Sequence, residues 1–405
     1  MHPGQLFKPH TLSAWSLGLA MVLTVLFQKP AVFVFVVAFL LTILAVQLSG
    51  TAPSDAVKWG WQSASLPAKI AIGAALLLAG LSLTSTLWAL NPDYAFNKAS
   101  RHLGIMVVGT LLVLMRSSRP ERRDDDPTAA LILIGFSIVI SIMLVIIYLW
   151  DIRPAGTYVH FYNRGTVILL FTSFLGLMML AESNLPRTTK LGVAAALLAP
   201  LCWLLVLTDS QSSQIAAVVL LFTTPVVFWL SKKSHSSVNR SLLVGAGFVV
   251  IAAIVAAFAT GIIDRLAARA HSFERFEMWV AFTDVAWVKP VMGWGLGAAR
   301  FITEEMMAEL YPNLANQWLF YPHPHNVFVQ TFLEFGMIGL ALVAVALVAY
   351  ALATLWYPTE RMLWILPLSA AILVVWAVSH GAWQSWWIAN LFLIANVFPA
   401  RTRST

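Results

Sequence analysis

The chain has 405 residues, of which 60% are hydrophobic and only 11% are charged. A soluble domain averages roughly 25% charged residues, because its surface must be covered by polar groups, so this composition excludes soluble enzymes, coiled coils and disordered chains. The single cysteine, Cys202, lies in an apolar run, which excludes an intramolecular disulfide framework and a cysteine metal cluster. The sequence therefore predicts a membrane protein.

Twelve apolar runs with polar residues between them predict membrane-spanning helices, each of which needs about 20 mostly apolar residues. In chain order they are residues 11–28, 31–48, 70–90, 103–115, 129–150, 166–181, 191–207, 215–230, 242–262, 327–356, 362–378 and 386–398. The predicted fold is an all-α polytopic membrane protein with about 12 transmembrane helices. It has three parts: 1–263 with helices 1–9, a periplasmic loop 264–326, and 327–405 with helices 10–12 and a cytoplasmic tail.

The distribution of lysine and arginine predicts the orientation of these helices. With a cytoplasmic N-terminus, the cytoplasmic loops and ends hold 15 such residues, whereas the short loops of the other side hold five. The positive-inside rule then places both termini in the cytoplasm. The cytoplasmic loop 51–69 carries Trp59 and Trp61, which suit the headgroup region.

The long segment 264–326 is the exception to the short loops. Its many aromatic residues argue against disorder, and it is expected to fold against the outer membrane face. Two stretches, 264–288 and 300–310, predict interfacial helices, because neither is long and apolar enough to span a membrane.

Two histidines, His323 and His325, precede the predicted helix that begins near Asn326. The positive end of that helix disfavours an imidazolium, so His325 is expected to be a neutral base near pH 7. A second interpretation stays open at this point. In it, either histidine only caps the helix or bonds a loop carbonyl.

Arginine side chains bind phosphate well, because the guanidinium group is planar, permanently charged and able to donate two parallel hydrogen bonds. Arg265, Arg269 and Arg275 form a cluster in the long loop, for which lipid headgroups are the alternative ligand. Arg164 enters from the same side and could complete an anion pocket.

The segment Lys289–Gly297 lacks the strand and spacing of a nucleotide loop, which favours a tight turn. Glu334 is the main intramembrane charge, and such scarcity argues against a cation-coupled transporter.

Four motifs, in order along residues 264–340, resemble the O-antigen ligase and polymerase superfamily of bacterial envelopes. They are Arg275-Phe-Glu-Met-Trp279, Lys289-Pro-Val-Met-Gly-Trp-Gly-Leu-Gly297, His325-Asn-Val-Phe-Val329 and Glu334-Phe-Gly-Met-Ile-Gly339. The resemblance implies a GT-C-like membrane glycosyltransferase that acts on the periplasmic face of the inner membrane. Its ligases build lipopolysaccharide by moving polysaccharide from undecaprenyl pyrophosphate to a sugar hydroxyl of lipid A core, with no metal or other cofactor.

The resemblance also implies roles for individual residues. His325 would be the base of an inverting attack on the anomeric carbon, Arg265 and Arg275 would hold the pyrophosphate, and His323 and Asn326 would contact substrate. Members of the superfamily often carry an arginine where this chain has Gln211. Arg164 is predicted to supply that missing charge.

Two other functions remain compatible with the sequence. A polymerase of the same superfamily would lengthen the glycan and would need a second basic patch, for which Lys98 and Arg101 are candidates. A flippase or transporter would bind the lipid-linked glycan without consuming it. The identity of the glycan, the acceptor sugar and the oligomeric state are not encoded in any recognisable motif.

Overall fold

The computed structural model describes residues 9–27, 31–117, 127–151, 160–208, 210–233, 274–303, 306, 322–357 and 359–397, and within them all regular structure is helical. The α-helices are α1 (Pro9–Phe27), α2 (Ala31–Leu48), α3 (Pro53–Ser63), α4 (Leu66–Thr84), α5 (Pro92–Ser117), α6 (Thr128–Trp150), α7 (His160–Glu182), α8 (Arg187–Leu207), α9 (Gln211–Lys233), α10 (Glu274–Val288), α11 (Val327–Thr354), α12 (Thr359–Val378) and α13 (Ser385–Val397). Two short 3-10 turns, Ser85–Leu87 and Ala298–Arg300, complete the described elements.

Among the described residues, nine helices have the length and composition to cross a membrane, namely α2, α4 to α9, α11 and α12. The helices α1, α10 and α13 are apolar but shorter. The prediction of an all-helical, multi-pass membrane protein is confirmed, whereas the count of twelve spans stays a prediction. The predicted span 242–262 lies outside the described residues, as do residues 264–273, 304–305 and 307–321 of the predicted loop 264–326.

The structure adds a helix to one predicted loop and corrects the start of one predicted helix. The predicted loop 51–69 contains the helix α3, which buries Ala56 and Gly60 and leaves Trp59 58% exposed. Its buried face consists of small residues, so it produces no apolar run in the sequence. The predicted helix 300–310 fails at its start, because Arg300 ends a 3-10 turn and residues 301–303 are not helical.

The centre of the bundle is formed by α1, α6, α7 and α13, with α7 the most buried of the membrane-length helices. Phe171 of α7 and Trp387 of α13 are fully buried there, with ring centroids 6.2 Å apart. Two asparagines of α13 hydrogen-bond to α1: Asn390 donates to Thr24 (3.0 Å) and Asn396 donates to Ser13 (3.0 Å). The core is therefore packed by side chains from opposite ends of the sequence.

The helix α11 is broken at Gly336, where the backbone has φ 61° and ψ −155°. The glycine-rich segment Lys289–Gly297 inserts into this break. Four backbone hydrogen bonds join them: Trp294 N–H to Leu333 O (2.8 Å), Gly295 N–H to Glu334 O (2.9 Å), Met337 N–H to Pro290 O (2.7 Å) and Ile338 N–H to Val291 O (3.3 Å). The inserted segment thus satisfies the polar groups that the break leaves without helical partners. The predicted tight turn is confirmed.

Several helix ends meet at one end of the bundle, which we call the site end. Leu296 N–H donates to Ser85 Oγ (3.1 Å), which joins the glycine-rich segment to the end of α4. Ala382 N–H donates to Gln330 Oε1 (2.8 Å), which joins the loop between α12 and α13 to the start of α11. These are the helix ends that the predicted alternation of spans assigns to the periplasmic side.

Candidate functional site

His325 lies at the site end, directly before α11, in a left-handed backbone conformation with φ 54°. Such a conformation is uncommon for a residue other than glycine and often marks a functional position. The ring Nδ1 is 2.5 Å from the carbonyl oxygen of Ser379. Because a carbonyl can only accept, Nδ1 carries the proton, and a neutral ring has its lone pair on Nε2. His325 is therefore held in the tautomer that a proton acceptor requires.

The Ser379 carbonyl is fixed by contacts from other helices. Ser379 Oγ accepts a hydrogen bond from Ser212 Oγ of α9 (2.5 Å) and is 3.3 Å from His380 Nδ1. Gln330 of α11 holds the same loop through Ala382 N–H. The partner of His325 is thus positioned by residues more than 100 positions apart in the chain.

Asn326 forms the N-cap of α11. Its Oδ1 accepts hydrogen bonds from the backbone N–H groups of Phe328 (2.9 Å) and Val329 (3.1 Å). The cap is therefore Asn326 and neither histidine, although His325 does bond a loop carbonyl. Asn326 Nδ2 is buried and has no hydrogen-bond partner among the described residues, so one donor of the predicted substrate-binding amide is available.

His323 stacks beside His325, with ring centroids 4.2 Å apart. The Trp386 indole donates to Gln384 Oε1 (2.7 Å), which leaves the Gln384 amide nitrogen facing His323 Nε2 (2.9 Å). His323 Nε2 is therefore the acceptor and Nδ1 carries the proton. His323 Nδ1 is buried without a partner among the described residues, so it is a second donor whose hydrogen bond remains to be made.

Three cations, Lys98, Arg164 and Arg300, act electrostatically on His323; we call them the basic cluster. Burial of the ring, the adjacent His325 and the charges of this cluster lower the pKa of His323 to about 3. His323 is consequently neutral at physiological pH. The site end combines a neutral imidazole, that of His323, with positive charge, a combination suited to an anionic substrate.

Replacing His323 with glutamine is expected to flatten the dependence of stability on pH. In the unfolded chain this histidine has an ordinary pKa of about 6.5. As the pH falls below that value, the unfolded chain gains a proton that the folded site rejects, so the wild type loses stability between about pH 6.5 and pH 3. Thermal unfolding of both proteins at about pH 7.5 and about pH 5.5 tests this. A difference between their unfolding temperatures that does not change with pH would contradict it.

The predicted arginines are only partly described. Arg265 lies outside the described residues, and of Arg275 the structure describes only its place in the first turn of α10. That helix is tied to the histidine segment, because the Trp279 indole donates to the carbonyl of Pro324 (2.7 Å). The tryptophan of the first motif therefore fixes the approach to the third.

Arg164 stands next to the turn in which the expected arginine is replaced by Gln211. Its neighbour Asn163 accepts from Thr208 Oγ1 at Oδ1 (3.2 Å) and from Ser210 Oγ at its carbonyl (3.3 Å). The Arg164 side chain is half-buried and close enough to His323 to influence its pKa. Arg164 thus acts electrostatically on the histidine segment, whereas Arg101 lines a groove between α2, α5 and α13.

Glu334 is completely buried, and its carboxylate accepts three hydrogen bonds. The donors are Gln330 Nε2 (2.9 Å), the Trp383 indole (2.7 Å) and the backbone N–H of Gly297. These bonds join α11, the glycine-rich segment and the loop after α12. The intramembrane charge singled out in the sequence therefore has a structural role next to the histidines.

Comparison with known proteins adds the family. The model of the O-antigen ligase family matches residues 193–344. This stretch of the chain, which we call the O-antigen ligase domain, is similar to that family. A candidate polysaccharide ligase of Rickettsia conorii is 24% identical over 332 residues, covering 77% of this chain and 76% of that protein. A second, from Rickettsia felis, is 26% identical over 239 residues, covering 56% of this chain and 55% of that protein. The predicted resemblance is confirmed.

The O-antigen ligase domain supplies only part of the site. It contains both histidines, the glycine-rich segment and Glu334. Lys98, Arg164 and Ser379 come from helices or loops outside the match. Sequence reasoning missed Ser379, Gln384 and Arg300 as site residues. The tryptophan-rich stretch around Gln384 was the one local sign of a crowded loop there.

Proposed function

We propose that this protein is an O-antigen ligase that transfers polysaccharide from undecaprenyl pyrophosphate to a sugar hydroxyl of lipid A core, on the periplasmic face of the bacterial inner membrane. The O-antigen ligase domain and the two relatives support polysaccharide ligase activity. The single observation that carries the proposal is the hydrogen bond between His325 Nδ1 and the Ser379 carbonyl. With the proton on Nδ1, a neutral ring has Nε2 as its proton acceptor.

In the proposed reaction the acceptor hydroxyl oxygen attacks the anomeric carbon of the donor glycan and inverts it. The hydroxyl proton passes to His325 Nε2, and the bond from the anomeric carbon to the pyrophosphate oxygen breaks. The electron pair of that bond leaves with undecaprenyl pyrophosphate, which is already a good leaving group. General base catalysis of this kind contributes typically about 10²- to 10⁴-fold to the rate.

The leaving group gains negative charge, which the cations of the site would stabilise. Arg164 and Lys98 of the basic cluster are within electrostatic reach of His323, and Arg265 and Arg275 would join them at the pyrophosphate. The open donors, His323 Nδ1 and Asn326 Nδ2, would hydrogen-bond the sugars. In this proposal His325 accepts the proton, the cations bind the pyrophosphate, and His323 and Asn326 bind the sugars.

The arrangement of charge favours a ligase over a polymerase. A polymerase holds two polyprenyl-linked chains and needs two anion sites. Lys98, a candidate for the second patch, belongs to the same cluster as Arg164 around His323. One cluster suits one pyrophosphate.

Mass-resolved transfer in liposomes tests the proposed function. The purified full-length protein receives undecaprenyl-pyrophosphate-linked glycan and lipid A core, and the products are separated by mass. A glycan joined to lipid A core is the expected product. Lengthened glycan still on the polyprenyl carrier would replace the ligase with a polymerase, and lipid translocation without a covalent product would replace it with a transporter.

Replacing Arg164 with alanine is expected to lower kcat/KM by roughly 10- to 100-fold, the usual loss of a charged hydrogen bond. Lysine at this position keeps the charge and should restore part of the activity. Arg187→Ala is the matched control, because Arg187 starts α8 at the opposite end of the bundle. Full activity of Arg164→Ala would remove this residue from the anion site.

A further inference from the structure

A groove runs along the surface between α2, α5 and α13 and reaches the site end. Its volume is about 570 Å³. Its walls are mostly apolar, with Phe35 of α2, Val108 of α5 and Trp386 of α13 among them. Arg101 is the one charged side chain among the described residues that line it. The described walls of the groove are thus mostly apolar and carry one permanent cation.

The wall formed by α5 is open at Gly104. A Cβ atom added to this glycine would meet no other atom within 4 Å, and the residue is exposed. A hydrocarbon chain could therefore lie directly against the backbone of α5 there. This position also allows a larger side chain to fill the groove without disturbing the protein.

One face of α5 leads from the groove to the histidines. Val108, Gly104, Arg101 and Lys98 follow one another at spacings of three or four residues, so they form a continuous stripe along the helix. The stripe is apolar at Val108 and cationic at Arg101 and Lys98. Lys98 Nζ lies 5.5 Å from the centroid of the Tyr94 ring, and the guanidinium of Arg300 lies 5.6 Å from the same centroid, so the stripe ends at the site end.

The other wall makes the same connection through hydrogen bonds. Trp386 lines the groove and donates to Gln384, and the Gln384 amide contacts His323. Only two side chains separate the groove from the histidine pair. A molecule whose tail lies in the groove would present its head to the catalytic site.

We propose that this groove holds the polyprenyl chain of the glycan donor, with the phosphate nearest the chain bound by Arg101. The proposal rests on the proposed ligase function. The volume lies in the range of roughly 300–1,000 Å³ that accommodates one slender ligand. It suits a single isoprenoid chain, whereas the acceptor lipid A carries several acyl chains. The cation complements a phosphate attached to an apolar tail.

Binding of undecaprenyl pyrophosphate without glycan tests the groove independently of turnover. Native mass spectrometry of the purified full-length protein would compare Gly104→Leu with Gly192→Leu. Gly192 of α8 is the matched control, because it is also exposed and has no atom within 4 Å of an added Cβ. Gly104→Leu is expected to weaken binding by roughly 10-fold, the effect of excluding about two methylene groups from the groove. Gly192→Leu is expected to leave it unchanged.

The role of the cation needs a separate comparison. Arg101→Gln is expected to weaken binding of undecaprenyl pyrophosphate but not of undecaprenol, which has the same chain and no phosphate. An equal loss for both lipids would show that Arg101 does not bind phosphate and would overturn that part of the proposal.

Should Gly104→Leu fail to fold, photo-crosslinking of the wild type by a photoreactive polyprenyl pyrophosphate replaces it. Labelling of α2 and α5 is expected, and labelling of α8 alone would overturn the proposal.

Other outcomes separate the groove from the reaction. Weaker binding of lipid A core with unchanged binding of undecaprenyl pyrophosphate would assign the groove to the acceptor and overturn the proposal. Unchanged binding of both lipids by Gly104→Leu would overturn it as well. If the wild type forms no conjugate but Gly104→Leu still weakens polyprenyl binding, the groove stands and the ligase function falls.

Discussion

Replacing His325 with alanine is expected to lower glycan transfer by about 10²- to 10⁴-fold, the range of a lost general base. The side chain lies beside His323 and is oriented by the carbonyl of Ser379. Removing it takes away Nε2 but none of the cations of the basic cluster. Binding of the lipid-linked donor should therefore persist while kcat falls. The transfer assay in liposomes measures kcat, and native mass spectrometry measures the bound donor.

The pH dependence of the reaction provides the control for this prediction. If Nε2 must be unprotonated to accept the hydroxyl proton, kcat/KM of the wild type declines as the pH falls, and the residual activity of His325→Ala loses this decline. Ser212→Ala is a useful companion, because it removes a contact to Ser379 without touching the carbonyl that His325 binds. Full activity of His325→Ala, or a loss of donor binding as large as the loss of activity, would refute the role of base.

Replacing Gly336 with alanine is expected to destabilise the protein by about 2–3 kcal/mol, because its backbone lies in a region that essentially only glycine adopts. The added Cβ would also collide with the carbonyl of Val291, one of the groups that hold the glycine-rich segment in the break of α11. Activity should fall together with stability, because Glu334 and Gln330 lie near the break and hold the loop that orients His325. Thermal unfolding and the transfer assay on the same preparation measure both effects.

Gly135→Ala in α6 is the matched control for Gly336→Ala. Gly135 is exposed, and an added Cβ would meet no other atom within 4 Å. Since alanine favours a helix over glycine by roughly 0.5–1 kcal/mol, this variant should be as stable as the wild type or slightly more stable. Equal losses in the two variants would mean that the break at Gly336 has no special importance.

The motifs that identify the family have two kinds of roles. Their order predicted the resemblance to the family, and the match over residues 193–344 confirms that resemblance. Much of what they specify is architecture: Trp279 holds the carbonyl of Pro324, the glycine-rich segment fills the break of α11, and Glu334 joins three segments. His325 and His323 are the residues to which we assign the chemistry. The spacing of a motif does not reveal which of its residues are structural, because that depends on partners elsewhere in the chain.

The sequence by itself determined the helices of this protein, because long apolar runs have no stable alternative in a membrane, where every backbone polar group must be bonded within its own segment. It missed α3, whose buried face is made of small residues, and it extended a helix through Arg300. Only the tertiary structure decided which polar groups meet. Lys98, Arg164 and Arg300 gather around His323, and Ser379 orients His325, although these residues are far apart in the sequence. Helix formation follows local periodicity, whereas the partners of a side chain are set by how the helices pack.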